Sequence, residues 1–284
     1  MSMKAIMYHY VRPHDPEYPN FKHLHIEDFC RQLDYFQQAF DFVEQEAFIQ
    51  SFVTGQPVPG VILTFDDGFS CHYDYVFQEL KNRGLWGIFY LPTQPYVEGS
   101  LLDVHRTHLL LGRHEAKTVF YYLKGLVEEF MLDQDRLVEF SQFTYQRQVN
   151  DQYTLLVKRI LNYYIAYKYR ADILRQLMVY FIPHEAEILN NFYLTTSQIK
   201  EMHDYGMVIG SHTVHHPVMS RLSPAEQENE IQQSFYYLES VTGGLRQKTF
   251  CYPYGGLHSF TNQTEELLHK HNCLFSITAY HRES

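Results

Sequence analysis

The chain has 284 residues, 45% hydrophobic and 16% aromatic, enough apolar material for one large core of the size a (β/α) barrel takes as a unit. A formal net charge of −10, a pI near 5.9 and the lack of any Lys/Arg cluster exclude the basic surface of a nucleic-acid binder. No uncharged apolar stretch reaches the roughly 18 residues of a membrane-spanning helix.

The first ten residues, Met1 to Tyr10, hold too short an apolar run for a signal peptide. Cys30, Cys71, Cys251 and Cys273 are widely spaced with no paired motif, so they read as reduced thiols. Together these features predict a soluble, cytoplasmic protein. The 24 Tyr and 21 Phe are expected to pack the core rather than stack on sugars, and the 17 His stand out because imidazole serves both as metal ligand and as acid–base group.

In chain order, residues 4–8 read as a first strand, which ends at His9 before a loop holding Pro13, Pro16 and Pro19. His9 therefore falls near the rim of a sheet, where a structural histidine is the ordinary reading. Phe29, Leu33 and Phe36 recur at helical spacing in a helix from Ile26 to about Phe40. A short strand is expected near Asp41–Glu44, and residues 54–60 form a turn-rich approach to Val61-Ile62-Leu63-Thr64-Phe65-Asp66-Asp67-Gly68. That run of apolar and β-branched residues reads as a buried strand stopped by a turn. It delivers two adjacent carboxylates to the strand's C-terminal end. Held close they repel, and a bound cation keeps both ionised at least cost. Taken alone, the stretch also fits a solvated Asp-Asp-Gly turn.

A helix is predicted from about Tyr73 to a cap at Gly84, then a strand over Trp86–Leu91 that stops at Pro92. The segment 101–108 reads as a loop in which Asp103, His105 and His108 have ligand-like spacing, although such residues also serve as ordinary caps. From His114 to Phe192 the pattern is helical, with one apolar stripe through Phe120, Leu123, Leu126 and Phe130. A helical insertion at about 110–192 within a single 1–284 domain follows, able to shape a cleft or to build a homodimer interface. A helix over 195–205, a strand over 207–210, a helix opened by Ser223-Pro224-Ala225-Glu226, a strand and glycine turn over 249–256, a helix over 264–271 and a strand over 274–278 complete the chain. Strands alternating with helices at this rhythm predict a parallel sheet.

Three loops after three such strands carry the chemistry: Asp66-Asp67-Gly68, His212 to Pro217, and Pro253-Tyr254-Gly255. In a parallel barrel they converge on one face. His212 and His216, four apart, share a face if the loop forms a helical turn; His212 and His215, three apart, do so equally. Two His and one Asp are a common catalytic zinc set, with a fourth position open to water. If one Asp holds metal, the other can act as general base on that water.

These three loops resemble the first three motifs of the polysaccharide deacetylase family (NodB homology, carbohydrate esterase 4), a likeness covering about residues 4–100 and 195–280. The resemblance implies an α/β fold, an irregular (β/α) barrel with the helical insertion added. It also implies metal-dependent removal of N-acyl groups from sugars. Carried over by position, Asp66 is the general base, while Asp67, His212 and His216 hold Zn2+ or another divalent ion such as Co2+ or Ni2+. The choice of His216 over His215 comes from the resemblance alone. The backbone N–H of Tyr254 donates to the oxyanion, and Pro253 and Gly255 shape the substrate-binding turn.

Two departures stand out. Cys251 occupies a position where the family commonly has an Arg that orients the base. The family's late Leu-x-His, whose imidazole protonates the leaving amine, is not found after the last predicted strand, 274–278. His281 lies close to the end, which leaves His9 and His105 as candidate general acids. The expected activity is hydrolysis of an N-acetyl or N-formyl group on an amino sugar, in surface-polysaccharide or glycan-precursor metabolism. Without an export signal, a nucleotide- or lipid-linked precursor or a glycan under assembly is the expected substrate. The rival readings are a metal- or carbohydrate-binding barrel without catalysis and an O-acetyl esterase.

Overall fold

Six short strands line up in sequence order in one sheet, every neighbouring pair parallel. They are β1 (Met3–Tyr8), β2 (Gly60–Asp66), β3 (Ile88–Leu91), β4 (Val208–Ser211), β5 (Thr249–Cys251) and β6 (Phe275–Ile277). A computed structural model describes residues 3–146 and 148–279. Each strand pairs with the next through a helical connection, which is the winding of a (β/α) barrel, here as a half-barrel.

Every residue of β2, β3, β4 and β5 is buried, whereas the edge strands β1 and β6 are partly exposed. That matches their sequences, since a strand covered on both faces reads as a continuous apolar run. Side chains still alternate. Leu63, Phe65, Phe89 and Ile209 pack with Phe29 and Leu238 in one cluster. Ile62, Ile88, Tyr90, Val208 and Cys251 lie in another. With a period of two, Asp66 belongs to the Ile62 face, the same face as Tyr90 and Cys251. On β4 a Cβ at Gly210 would come within 2.6 Å of the Tyr90 ring and 2.8 Å of Thr249 Cγ2. Only glycine lets Tyr90 reach across β4 to hydrogen-bond Thr249 Oγ1 at 2.9 Å.

The register sets where the loops emerge. Tyr8 pairs with Phe65, Asp66 with Tyr90, Leu91 with Ser211, and Ser211 with Phe250. The residues that follow β1, β2 and β4, namely His9, Asp67 and His212, therefore leave the sheet along one edge.

The chain divides into two compact units. One takes in Met1–Pro13, His23–Val97 and Asn191–Ser284 and holds the sheet; the other takes in His14–Lys22 and Glu98–Asn190 and is helical. In the second unit Val119, Leu123, Phe140, Val157, Leu174 and Leu177 are fully buried.

Two local expectations are corrected. Residues 41–44 form no strand but a single bridge, Phe42 to Val61, followed by the helix Gln45–Thr54. Asp41 takes φ 63°, which turns the chain before a strand can extend. The segment expected as a loop at 101–108 opens the helix Asp103–Arg113. There Asp103 pairs with Arg106 at 3.1 Å, and Val104, Leu109 and Leu110 are buried, so tertiary packing fixes a helix that local composition leaves open.

Candidate functional site

Asp66 ends β2 as a fully buried side chain, and the chain then reverses abruptly. Asp67 has φ 80° and Gly68 φ 66°, while the Asp67 N–H donates to the Tyr90 carbonyl at 2.9 Å. A Cβ on Gly68 would stand 2.8 Å from Leu91 Cδ2, so the turn needs glycine both for its backbone angle and for space. Successive residues of a strand point to opposite faces; this left-handed step instead lets both carboxylates serve one site.

His212 follows β4 directly. Its Nδ1 lies 2.7 Å from the Cys251 carbonyl. A carbonyl only accepts, so Nδ1 carries the hydrogen and Nε2 presents a lone pair. That Nε2 lies 3.6 Å from Asp67 Oδ1, and so does His216 Nε2. The two imidazole rings are 4.7 Å apart.

No helical turn makes this juxtaposition, contrary to the spacing argument. Residues 212–217 form an irregular loop in which Thr213 has φ 68° and His216 φ 54°. The loop is tied from within and from outside. Thr213 Oγ1 accepts the His216 N–H at 2.9 Å, and Glu230, from the helix Pro224–Thr242, takes the N–H groups of Val214 and His215 at 2.8 and 2.9 Å. His215 turns its Nδ1 to the other oxygen of Glu230, at 2.5 Å, while His216 turns to Asp67.

Four of the seven non-glycine residues with positive φ among the described residues are Asp67, Thr213, His216 and Tyr254. Each such residue costs on the order of 1–3 kcal/mol, and their concentration in the three loops marks a site whose geometry is enforced by its surroundings.

Asp67, His212 and His216 each offer one ligand atom, all within 4.8 Å of one another and all buried. Two ligand atoms bound tetrahedrally to one zinc at about 2 Å stand roughly 3.3 Å apart. The observed 3.6 Å separations are too long for hydrogen bonds and close to that spacing, so this donor set fits a small divalent cation. A second trio, Asp66, His212 and Cys251, is equally close but shares His212, and its thiol donates to Asp66 Oδ2 at 3.4 Å. Burial pushes the Cys251 thiol well up, which keeps it protonated. Among the described residues, neither trio includes Asp103 or His108.

Asp66 sits beside the ligands without being one of the first trio. Burial pushes its carboxyl above the ordinary value; His212 and His9 pull it down, Asp67 pushes it up and the Cys251 thiol pulls it down. Its Oδ1 is buried and has no hydrogen-bond partner among the described residues.

His9 reaches the site from the end of β1, with Nε2 3.8 Å from Asp67 Oδ2 and its side chain 39% exposed. His105 lies fully buried on the helix Asp103–Arg113 of the second unit, its ring 5.9 Å from that of His108. His281 falls outside the described residues. Tyr254 has φ 64° and Gly255 φ 65°, and the Gly255 N–H donates to Tyr252 O at 3.0 Å, which closes the turn after Pro253. The Tyr254 ring packs 4.9 Å from the His216 ring, bringing the third loop to the second.

Sequence reasoning passed over His72 and Glu230. His72 opens a π-helical turn, His72–Phe77, and its Nε2–H donates to the His9 carbonyl at 2.6 Å. Burial drives its pKa down to about 4. The unfolded chain takes up this proton as pH falls through about 6.5, the folded one only near 4, so the unfolded state binds more protons between these values. Stability is therefore expected to fall by up to roughly 3 kcal/mol as pH drops through that window. Denaturant titrations of wild type and His72→Gln at pH 7, 5.5 and 4.5 check this, since the variant should lose less stability over the window. The π-turn begins four residues after Gly68, and hydropathy does not reveal it.

A family model described as polysaccharide deacetylase matches residues 103–273, a span that includes His212, His216 and Tyr254. Among solved structures, the chain is similar to the Streptococcus pyogenes deacetylase PplD in complex with acetate, at 18% identity and TM-score 0.59, covering 98% of this chain and 84% of that one. It is similar to IcaB from Ammonifex degensii at 18% identity and TM-score 0.55, covering 99% and 92%. It also resembles the BpsB deacetylase domain from Bordetella bronchiseptica at 14% identity and TM-score 0.51, covering 98% and 88%. At such identities the likeness is one of fold. No curated protein matches the chain. A parallel half-barrel whose rim gathers these loops, together with a model match over more than half its length, leads to one conclusion: the chain belongs to the polysaccharide deacetylase family.

Proposed function

We propose that this protein is a metal-dependent deacetylase that removes an N-acyl group, acetyl or formyl, from an amino sugar in a glycan or glycan precursor. The observation behind it is the shared reach of Asp67 Oδ1 to His212 Nε2 and His216 Nε2, 3.6 Å each, with buried Asp66 alongside. Asp67, His212 and His216 would hold the ion, zinc or another divalent metal such as Co2+ or Ni2+. When bound, it supplies a polarised acyl carbonyl and a water acidified to a pKa of about 7.

Asp66 takes the proton of the attacking water at Oδ1, the oxygen with no other described partner. The Tyr254 N–H donates to the oxyanion as the carbonyl carbon becomes tetrahedral. Pro253 and Gly255 hold the turn that aims this N–H. His9 Nε2 gives a proton to the nitrogen as the C–N bond breaks, leaving a free amine and a carboxylate. His9 suits this step better than His105 because its ring is half-exposed and faces Asp67.

The test is elemental analysis of the purified protein followed by release of acetate or formate from a panel of N-acyl amino sugars, with O-acetyl sugars at equal metal loading. Bound divalent metal with N-acyl hydrolysis is expected. Metal without any acyl release would make the protein a binding barrel, and release from O-acetyl sugars alone would make it an esterase.

A further inference from the structure

We infer that the Cys251 thiol is the positioning residue for Asp66: it holds Oδ2 and leaves Oδ1 aimed at the water. This rests on the role of Asp66 as base proposed above. Asp66 and Cys251 lie on the same face of the sheet, both 2% exposed, and Sγ–H donates to Oδ2 at 3.4 Å. No other side chain donates to the Asp66 carboxylate among the described residues, so the thiol alone breaks the equivalence of its two oxygens.

The same residue works on two sides of the site. Its backbone carbonyl fixes the His212 imidazole at 2.7 Å, while its side chain fixes the carboxylate. Side-chain substitutions at 251 therefore separate the two effects. They keep the carbonyl that orients the ligand and change only the donor to the base. A cation at this position would hold Asp66 by charge; a thiol holds it by direction, through a neutral donor.

The experiment uses the metal-loaded full chain. Cys251→Ala is expected to lower kcat about tenfold, the loss of one weak hydrogen bond to a charged group, with KM and metal content within about twofold of wild type. Cys251→Ser has nearly the volume of the Ala variant but keeps a donor, and is expected to return kcat to within about threefold of wild type. A reading independent of turnover comes from the S–H stretching band of Cys251, assigned by its loss in Cys251→Ala. It should move to higher frequency in Asp66→Ala, where the acceptor is gone. A band that does not move, or Ala and Ser variants that fall equally, would overturn the role of Cys251 alone. A wild-type protein that binds metal and releases no acyl group would overturn the proposed activity and this role with it.

Discussion

Asp66→Asn is expected to lower kcat by about 10³-fold or more while the metal stays bound, since removal of a general base costs on the order of 10²–10⁴. The substitution preserves the shape of a fully buried side chain and removes its capacity to take a proton. Asp66 lies outside the trio that shares Asp67 Oδ1, so metal content should be unchanged. An amide also removes a desolvated charge, so the folded state should not be weakened. Acyl release and elemental analysis on the same preparation decide the matter. Turnover within tenfold of wild type would remove Asp66 from the chemistry, whereas lost metal would make it a ligand instead.

The second large effect concerns Asp67. Asp67→Asn is the informative change, because Asn tolerates the left-handed backbone at φ 80° and Ala does not. Replacing the charged oxygen that faces both imidazoles is expected to weaken metal binding by at least roughly 100-fold, the upper end for loss of a residue that only supports a ligand. A protein that binds a ligand only when folded gains about 2.7 kcal/mol at a ligand concentration 100 times Kd. Wild-type protein in zinc should thus unfold at clearly higher denaturant than in chelator, and Asp67→Asn should show almost no difference. Equal stabilisation of both proteins would place the ion elsewhere.

Much of the fold is written locally. The apolar run of β2 and its stop at Asp66-Asp67-Gly68 are legible because a strand buried on both faces needs apolar residues throughout and a left-handed turn needs glycine. The helix start at Ser223-Pro224-Glu226 is legible for a similar reason, and the structure shows both halves of its capping box. Thr195 and Gln198 form another, at the helix Thr196–Tyr205. In each case the residues that make the contact are neighbours in sequence.

The spacing of His212 and His216 suggests a helical turn, yet an irregular loop brings them together: Thr213 and His216 take left-handed backbone angles that a helix cannot contain, and Glu230 holds the loop's N–H groups from outside. Asp103, His105 and His108 have ligand-like spacing, but packing folds them into a helix and ties Asp103 to Arg106. The thiol beside Asp66 connects positions 185 residues apart, and His72 meets the His9 carbonyl across 63.

From the sequence by itself came the alternation of strands and helices, the three loops and the types of donor they carry, since these depend on short-range periodicity and turn chemistry. Which imidazoles face Asp67, which thiol lies against Asp66, and that His9 comes within 3.8 Å of Asp67 were decided only when the parallel register laid distant loops along one edge. Hydrogen bonds and metal contacts depend on ångström-scale distances between residues that no local pattern relates.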